Sequence, residues 1–73
     1  MNRLQEIYDS EINFSISTFF DAGFEVKLGD ETNGFKSHLF EDTFEEAVEA
    51  LSDSVIEHYP DSDFAVKYKD FKK

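Results

Sequence analysis

The apolar pattern changes period at Ile12, from helical spacing to strict alternation, and that switch limits the chain to a mixed α and β fold. Before it, Leu4, Ile7, Tyr8 and Glu11 recur at helical spacing behind Asn2, a capping residue, so residues 2–11 predict a short amphipathic helix. After it, Phe14, Ile16, Thr18 and Phe20 alternate with Asn13, Ser15, Ser17 and Phe19, the pattern of a half-buried strand. Asp21-Ala22-Gly23 then reads as a three-residue hairpin loop, with Gly23 where a positive φ is needed. The returning strand has Phe24, Val26 and Leu28 on one face and Glu25 and Lys27 on the other. Pairing Phe20 with Phe24 sets Thr18 against Val26 and Ile16 against Leu28, so turn chemistry and hydrophobic phase agree.

A second turn over residues 29–34 leads to a third strand at 35–40, with Phe35, Ser37 and Leu39 inward. Two registers preserve that face. A six-residue loop pairs Leu28 with Phe35, whereas a two-residue Asn33-Gly34 turn pairs Thr32 with Phe35 and brings Lys36 opposite Glu31. The Asn-Gly signal and the charge pairing favour the second. Residues 43–59 predict a helix: Thr43 with Glu46 makes a capping box, acids fill the first turn and Pro60 closes the end. Its apolar stripe is Phe44, Ala47, Val48, Leu51, Val55 and Tyr59, with Ile56 at the border. From Asp61 the pattern fits either a strand or a short helical turn capped by Ser62 or Asp61, and the helical turn is favoured. The expected architecture is therefore α+β, a two-layer sandwich in the order α-β-β-β-α, with a three-stranded antiparallel sheet. The expected core joins Phe14, Ile16, Phe20, Phe24, Val26, Leu28, Phe35 and Leu39 to Phe44, Val48, Leu51 and Val55. One domain spans 1–73, folded over 1–63 and followed by a basic tail at 64–73.

At 73 residues the chain buries about 60% of its unfolded surface, so nine Phe and three Tyr matter to a marginal core. Seventeen acids against seven bases leave a net charge of -10, which argues against direct contact with nucleic acid phosphates. The absence of Cys removes disulfides, thiolate metal sites and thiol nucleophiles. No apolar run approaches a membrane span, so no membrane association and a cytoplasmic location are expected.

Charge is unevenly placed. Residues 41–63 hold nine acids and no Lys or Arg, and within the helix Glu45, Glu46, Glu49, Asp53 and Glu57 form a ridge. At ~1.5 Å rise per residue it runs for roughly 18 Å. Like charges at i, i+4 cost a few tenths of a kcal/mol each, so the ridge reads as a surface for a partner protein with a basic face, in the manner of a nucleic-acid mimic or inhibitor. The competing reading is a solvated face that serves solubility. Four of the seven bases (Lys67, Lys69, Lys72 and Lys73) lie in the last ten residues, either folding back on the acidic helix, reaching a partner, or forming a solubilising end. Phe19 and Phe40 fall on the sheet face opposite the helices, as an apolar contact for a partner or for a second copy in a homodimer, or as side chains curling over the core edge.

Catalytic and metal signals are absent. Residues 30–41 have the length of a calcium loop, but its sixth position is Phe35 and not Gly. His38 and His58 lack Cys partners, and Ser15, Ser17, Ser37 and Ser54 lack a nucleophile-elbow context. No glycine loop suits phosphate. Glu25 lies across from His38 in the six-residue-loop register, on an open face without the burial that tunes a catalytic group. Neither an enzyme nor a cofactor is expected.

The stretch Gly23-Phe24-Glu25-Val26-Lys27-Leu28-Gly29-Asp30-Glu31-Thr32-Asn33-Gly34-Phe35, with Thr43-Phe44-Glu45-Glu46-Ala47 after it, resembles a family of small uncharacterised bacterial and phage proteins over roughly residues 19–62. It implies no catalytic residue. In size, acidity and element order the chain is more loosely similar to small phage-encoded inhibitors, including anti-CRISPR proteins and DNA mimics. The order is also that of the double-stranded RNA-binding domain, whose second helix is basic where this one is acidic. The leading expectation is a non-enzymatic, phage-related interaction protein whose acidic helix occupies a basic surface; the alternative is a self-associating structural or accessory protein of phage or bacterial origin.

Overall fold

The structure, a computed structural model, describes residues 2–68. Helix α1 (Arg3–Asp9) starts where Asn2 accepts hydrogen bonds from the Leu4 and Gln5 amides. It stops at Ser10, and Glu11 takes a left-handed φ of 63° to turn the chain into the sheet. Ile7 is fully buried, but Tyr8 projects outward at 69% exposure and leaves the expected apolar stripe.

Strands β1 (Phe14–Phe19), β2 (Gly23–Asp30) and β3 (Gly34–Glu41) form an antiparallel sheet in the order β1-β2-β3. The first hairpin is displaced by two residues from the expected register: Thr18 faces Phe24, Ile16 faces Val26 and Phe14 faces Leu28. A two-residue shift keeps every side chain on its face, so hydrophobic phase cannot choose between the registers. The turn chooses. Ala22 N–H donates to the Phe19 carbonyl at 2.8 Å, which leaves Phe20 in the loop, fully exposed and outside the core. Gly23 has φ 101°, and a Cβ there would sit 2.4 Å from the Glu41 carbonyl oxygen.

The second hairpin adopts neither expected register. It closes with Asp30 opposite Gly34, because Asp30 caps its own loop. Its carboxylate accepts from Asn33 N–H at 2.7 Å, from Asn33 Nδ2 at 3.2 Å and from Asn13 Nδ2 at 2.6 Å. Phe35 then faces Gly29 while Ser37 faces Leu28, so Lys36 is an extra residue on β3. This bulge turns Phe35 to the face opposite Ser37 and Leu39, where Lys27 Nζ lies 5.4 Å from its ring. Phe35 is therefore not a core residue.

Helix α2 (Phe44–His58) begins at Thr43, whose side chain accepts from Glu46 N–H. Ala47, Leu51 and Val55 are fully buried against β2 and β3. Phe44, expected inside, is 49% exposed and meets Phe24 edge-on at the rim, with ring centroids 5.8 Å apart. Ser54 is also buried, and its hydroxyl accepts from Ser37 Oγ at 3.1 Å, tying the helix to β3.

The favoured helical turn after Asp61 is present as α3 (Asp63–Tyr68), and Ser62 Oγ accepts from Ala65 N–H at its start. Phe64 and Ala65 are buried, so the folded core continues past residue 63. The result is the α+β architecture α-β-β-β-α with a short C-terminal helix. Its core is Ile7, Ile12, Val26, Leu28, Ala47, Leu51, Val55 and Phe64, bordered by partly buried Phe14, Ile16, Phe24 and Leu39.

Candidate functional site

The outer side of α2 carries the expected acidic residues. Glu45, Glu46, Asp53 and Glu57 are exposed, spaced along the helix by the same periodicity that buries Ala47, Leu51 and Val55. Glu49 is different: it is half-buried and holds Arg3 Nη1 at 3.0 Å. Arg3 comes from α1, 46 residues away in sequence, so no reading of α2 alone reveals the pairing. Glu46 is also engaged locally, accepting from the Thr43 hydroxyl at 3.1 Å. The ridge is thus a negative strip with a neutralised point at its middle.

Lys67 does not reach α2. It donates to Glu6 on α1 at 2.5 Å, and the Tyr68 hydroxyl donates to the other oxygen of the same carboxylate. Hydrogen bonding from Lys67, and then from Tyr68, holds the Glu6 carboxyl below its ordinary range. The same bonds raise Lys67 and Tyr68 above theirs. This three-residue cluster joins α1 to α3 beside a shallow cleft lined by Ser10, Asp63 and Phe64. Lys69, Lys72 and Lys73 lie outside the described residues.

The open sheet face is the second surface. Phe19 and Phe40 stand on it, as the alternation of their strands requires, at 46% and 64% exposure. Phe35 joins them at 46% because of the bulge at Lys36, a feature with no signal in the hydrophobic pattern. Between the aromatics lie Ser15, Ser17, Glu25, Lys27 and His38. His38 faces Lys27 in the backbone register, yet its Nε2 reaches diagonally to the Glu25 carboxylate. His38 stacks at a tilt on Phe40, with centroids 5.1 Å apart, and half of its side chain meets solvent.

The twelve residues 30–41 form the Asp30-capped loop and β3, with the Asp30 carboxyl held below its ordinary range mainly by the Asn33 amide. Among the described residues, no three His, Asp or Glu side chains converge on a point where a metal ion would sit. No described helix is long and apolar enough to cross a membrane. Comparison with protein-family models, curated proteins and solved structures finds no match.

Proposed function

We propose that the protein is a non-enzymatic interaction module that presents the outer side of α2 to a basic surface on a partner protein, as a phage-related inhibitor or nucleic-acid mimic does. The observation that carries this reading is the exposure of Glu45, Glu46, Asp53 and Glu57 along one helix, in a segment from 41 to 63 without a Lys or Arg. A helix shaped for solubility alone mixes charge signs along its outer face. Aligned carboxylates raise the local field and speed encounter with a basic partner.

The Arg3–Glu49 ion pair directs the choice of variant. Replacing Glu49 would strand Arg3, so Glu45→Gln with Glu57→Gln tests the field without breaking a contact between helices. The double variant should keep the circular dichroism of the parent and bind a partner isolated from the native host more weakly. Unchanged binding would reduce the acids to solubility.

A second reading rests on the three-phenylalanine face. Phe19, Phe35 and Phe40 on an otherwise polar sheet offer an apolar contact for a self-associating accessory protein. Phe40→Ser should then lower the solution mass, whereas the α2 variant should not.

A further inference from the structure

Residues 12–20 are nine consecutive positions without a charge, in a chain of which 33% is charged. They contain β1, which among the described residues is an edge strand bonded to β2 on one side only. The two edges of the sheet are built differently. β3 carries Lys36, Glu41 and a bulge, devices that keep an edge from recruiting another strand. β1 has no charge, no proline and no bulge, and its six residues pair with β2 in unbroken register.

The backbone fixes which groups of β1 face outward. Gly29 N–H donates to the Asn13 carbonyl at 2.7 Å, so Asn13 bonds toward β2. Bonding direction alternates along an antiparallel strand. Ser15 and Ser17 therefore also aim their amide groups at β2, and Phe14, Ile16 and Thr18 aim theirs away from it. The side chains of Phe14, Ile16 and Thr18 lie on the helix-bearing face, opposite Leu28, Val26 and Phe24. That face is incompletely covered at β1, since α2 lies over β2 and β3 and leaves Phe14 and Ile16 only partly buried.

We propose that β1 pairs antiparallel with β1 of a second copy of this chain, joining two three-stranded sheets into one continuous sheet. Outward amides bond only with outward amides, so Phe14, Ile16 and Thr18 must meet the same set in the copy. With Ile16 on the two-fold axis, Phe14 faces Thr18 of the copy and every outward N–H and C=O of the three residues is used. This register keeps all helices on one side of the joined sheet, and Phe14 and Ile16 gain apolar neighbours across the seam. A second copy is the occupant because the edge is complementary to itself in hydrogen bonding and in its apolar face. The uncharged run also lets two chains of net charge -10 meet where neither carries a charge.

Sedimentation equilibrium tests this. The parent should show twice the monomer mass of 8.5 kDa at high protein concentration, with the dimer strengthened by salt that screens the two acidic chains. Thr18→Pro removes an outward N–H, a change an edge strand tolerates, and Thr18→Lys places a charge on the seam. Both should be monomeric with unchanged circular dichroism, and Thr18→Lys carries the test alone if the proline variant does not fold. Phe40→Ser, on the open face, should leave the dimer intact. In hydrogen exchange the Ile16 amide should gain protection as protein concentration rises. A parent that stays at monomer mass at high concentration and high salt overturns the proposal. So does a dimer that survives Thr18→Lys, or one that Phe40→Ser dissociates.

Discussion

Truncating Phe64 tests whether the C-terminal helix belongs to the folded domain. Phe64 is 2% exposed, packs in the core with Ile7 and Val55, and meets the Tyr68 ring at 4.6 Å. A buried Phe removes about 150–250 Å² from water, and at about 25 cal/mol per Å² this amounts to roughly 4–6 kcal/mol as an upper bound. Alanine retains part of that area and leaves a partly collapsed cavity, so Phe64→Ala should cost about 3–5 kcal/mol. Domains have about 0.05–0.15 kcal/mol of stability per residue, so a chain of 73 residues has roughly 4–11 kcal/mol in all. Urea denaturation followed by circular dichroism should show a large fall in the midpoint, and the folded baseline in water is lost where the parent lies at the low end of that range. Val66→Ala, at a position 55% exposed on the same helix, should change stability by less than about 0.5 kcal/mol. A Phe64→Ala cost below about 1 kcal/mol, with an unchanged denaturant slope, would falsify the packing of α3 into the core.

Leu51→Ala should cost about 2–5 kcal/mol in the same assay, because Leu51 is fully buried between α2 and the sheet. Glu6 has its carboxyl below the ordinary range in the folded protein, so its contribution is present above the unfolded carboxylate pKa and is lost as pH falls through the folded value. The stability gap between the parent and Glu6→Gln should therefore narrow on acidification, and a gap constant with pH would contradict the Glu6–Lys67–Tyr68 linkage. Gly29→Ala should be far more damaging than Gly34→Ala. Both glycines have positive φ, but a Cβ at Gly29 would lie 2.3 Å from the Gly34 carbonyl oxygen, whereas one at Gly34 meets nothing within 4 Å. Equal melting temperatures for the two variants would refute the close approach.

The parts of the fold legible in the sequence are those set by local chemistry. Asn2 and Thr43 announce their helices because their side chains bond amides two or three residues on. The face of β2 is legible because Val26 and Leu28 are buried on one side of the pleat. Register is less legible, since any two-residue slip preserves that face, and a single turn bond from Ala22 to Phe19 decides it. The bulge at Lys36 is invisible to pattern because it follows from Asp30 binding Asn33 and Asn13, a contact across 17 residues. Phe35 changes face as a consequence. The same holds for the candidate surfaces. The exposure of Glu45, Glu46, Asp53 and Glu57 follows from helical period, while the pairing of Glu49 with Arg3 needs the tertiary fold. Phe64 heads a ten-residue segment with four Lys that reads as a basic tail, yet Ser10 Oγ accepts its amide and the core takes its ring.

The interaction reading is tested most directly by the association rate with a partner isolated from the native host. The rate is compared between the parent and Glu45→Gln/Glu57→Gln at low and at high salt. If the outer side of α2 steers the encounter, the double variant should associate roughly threefold to tenfold more slowly at low salt. The difference should vanish as the screening length shrinks to about 3 Å at 1 M salt. Equal association rates for the two proteins at low salt would contradict the account.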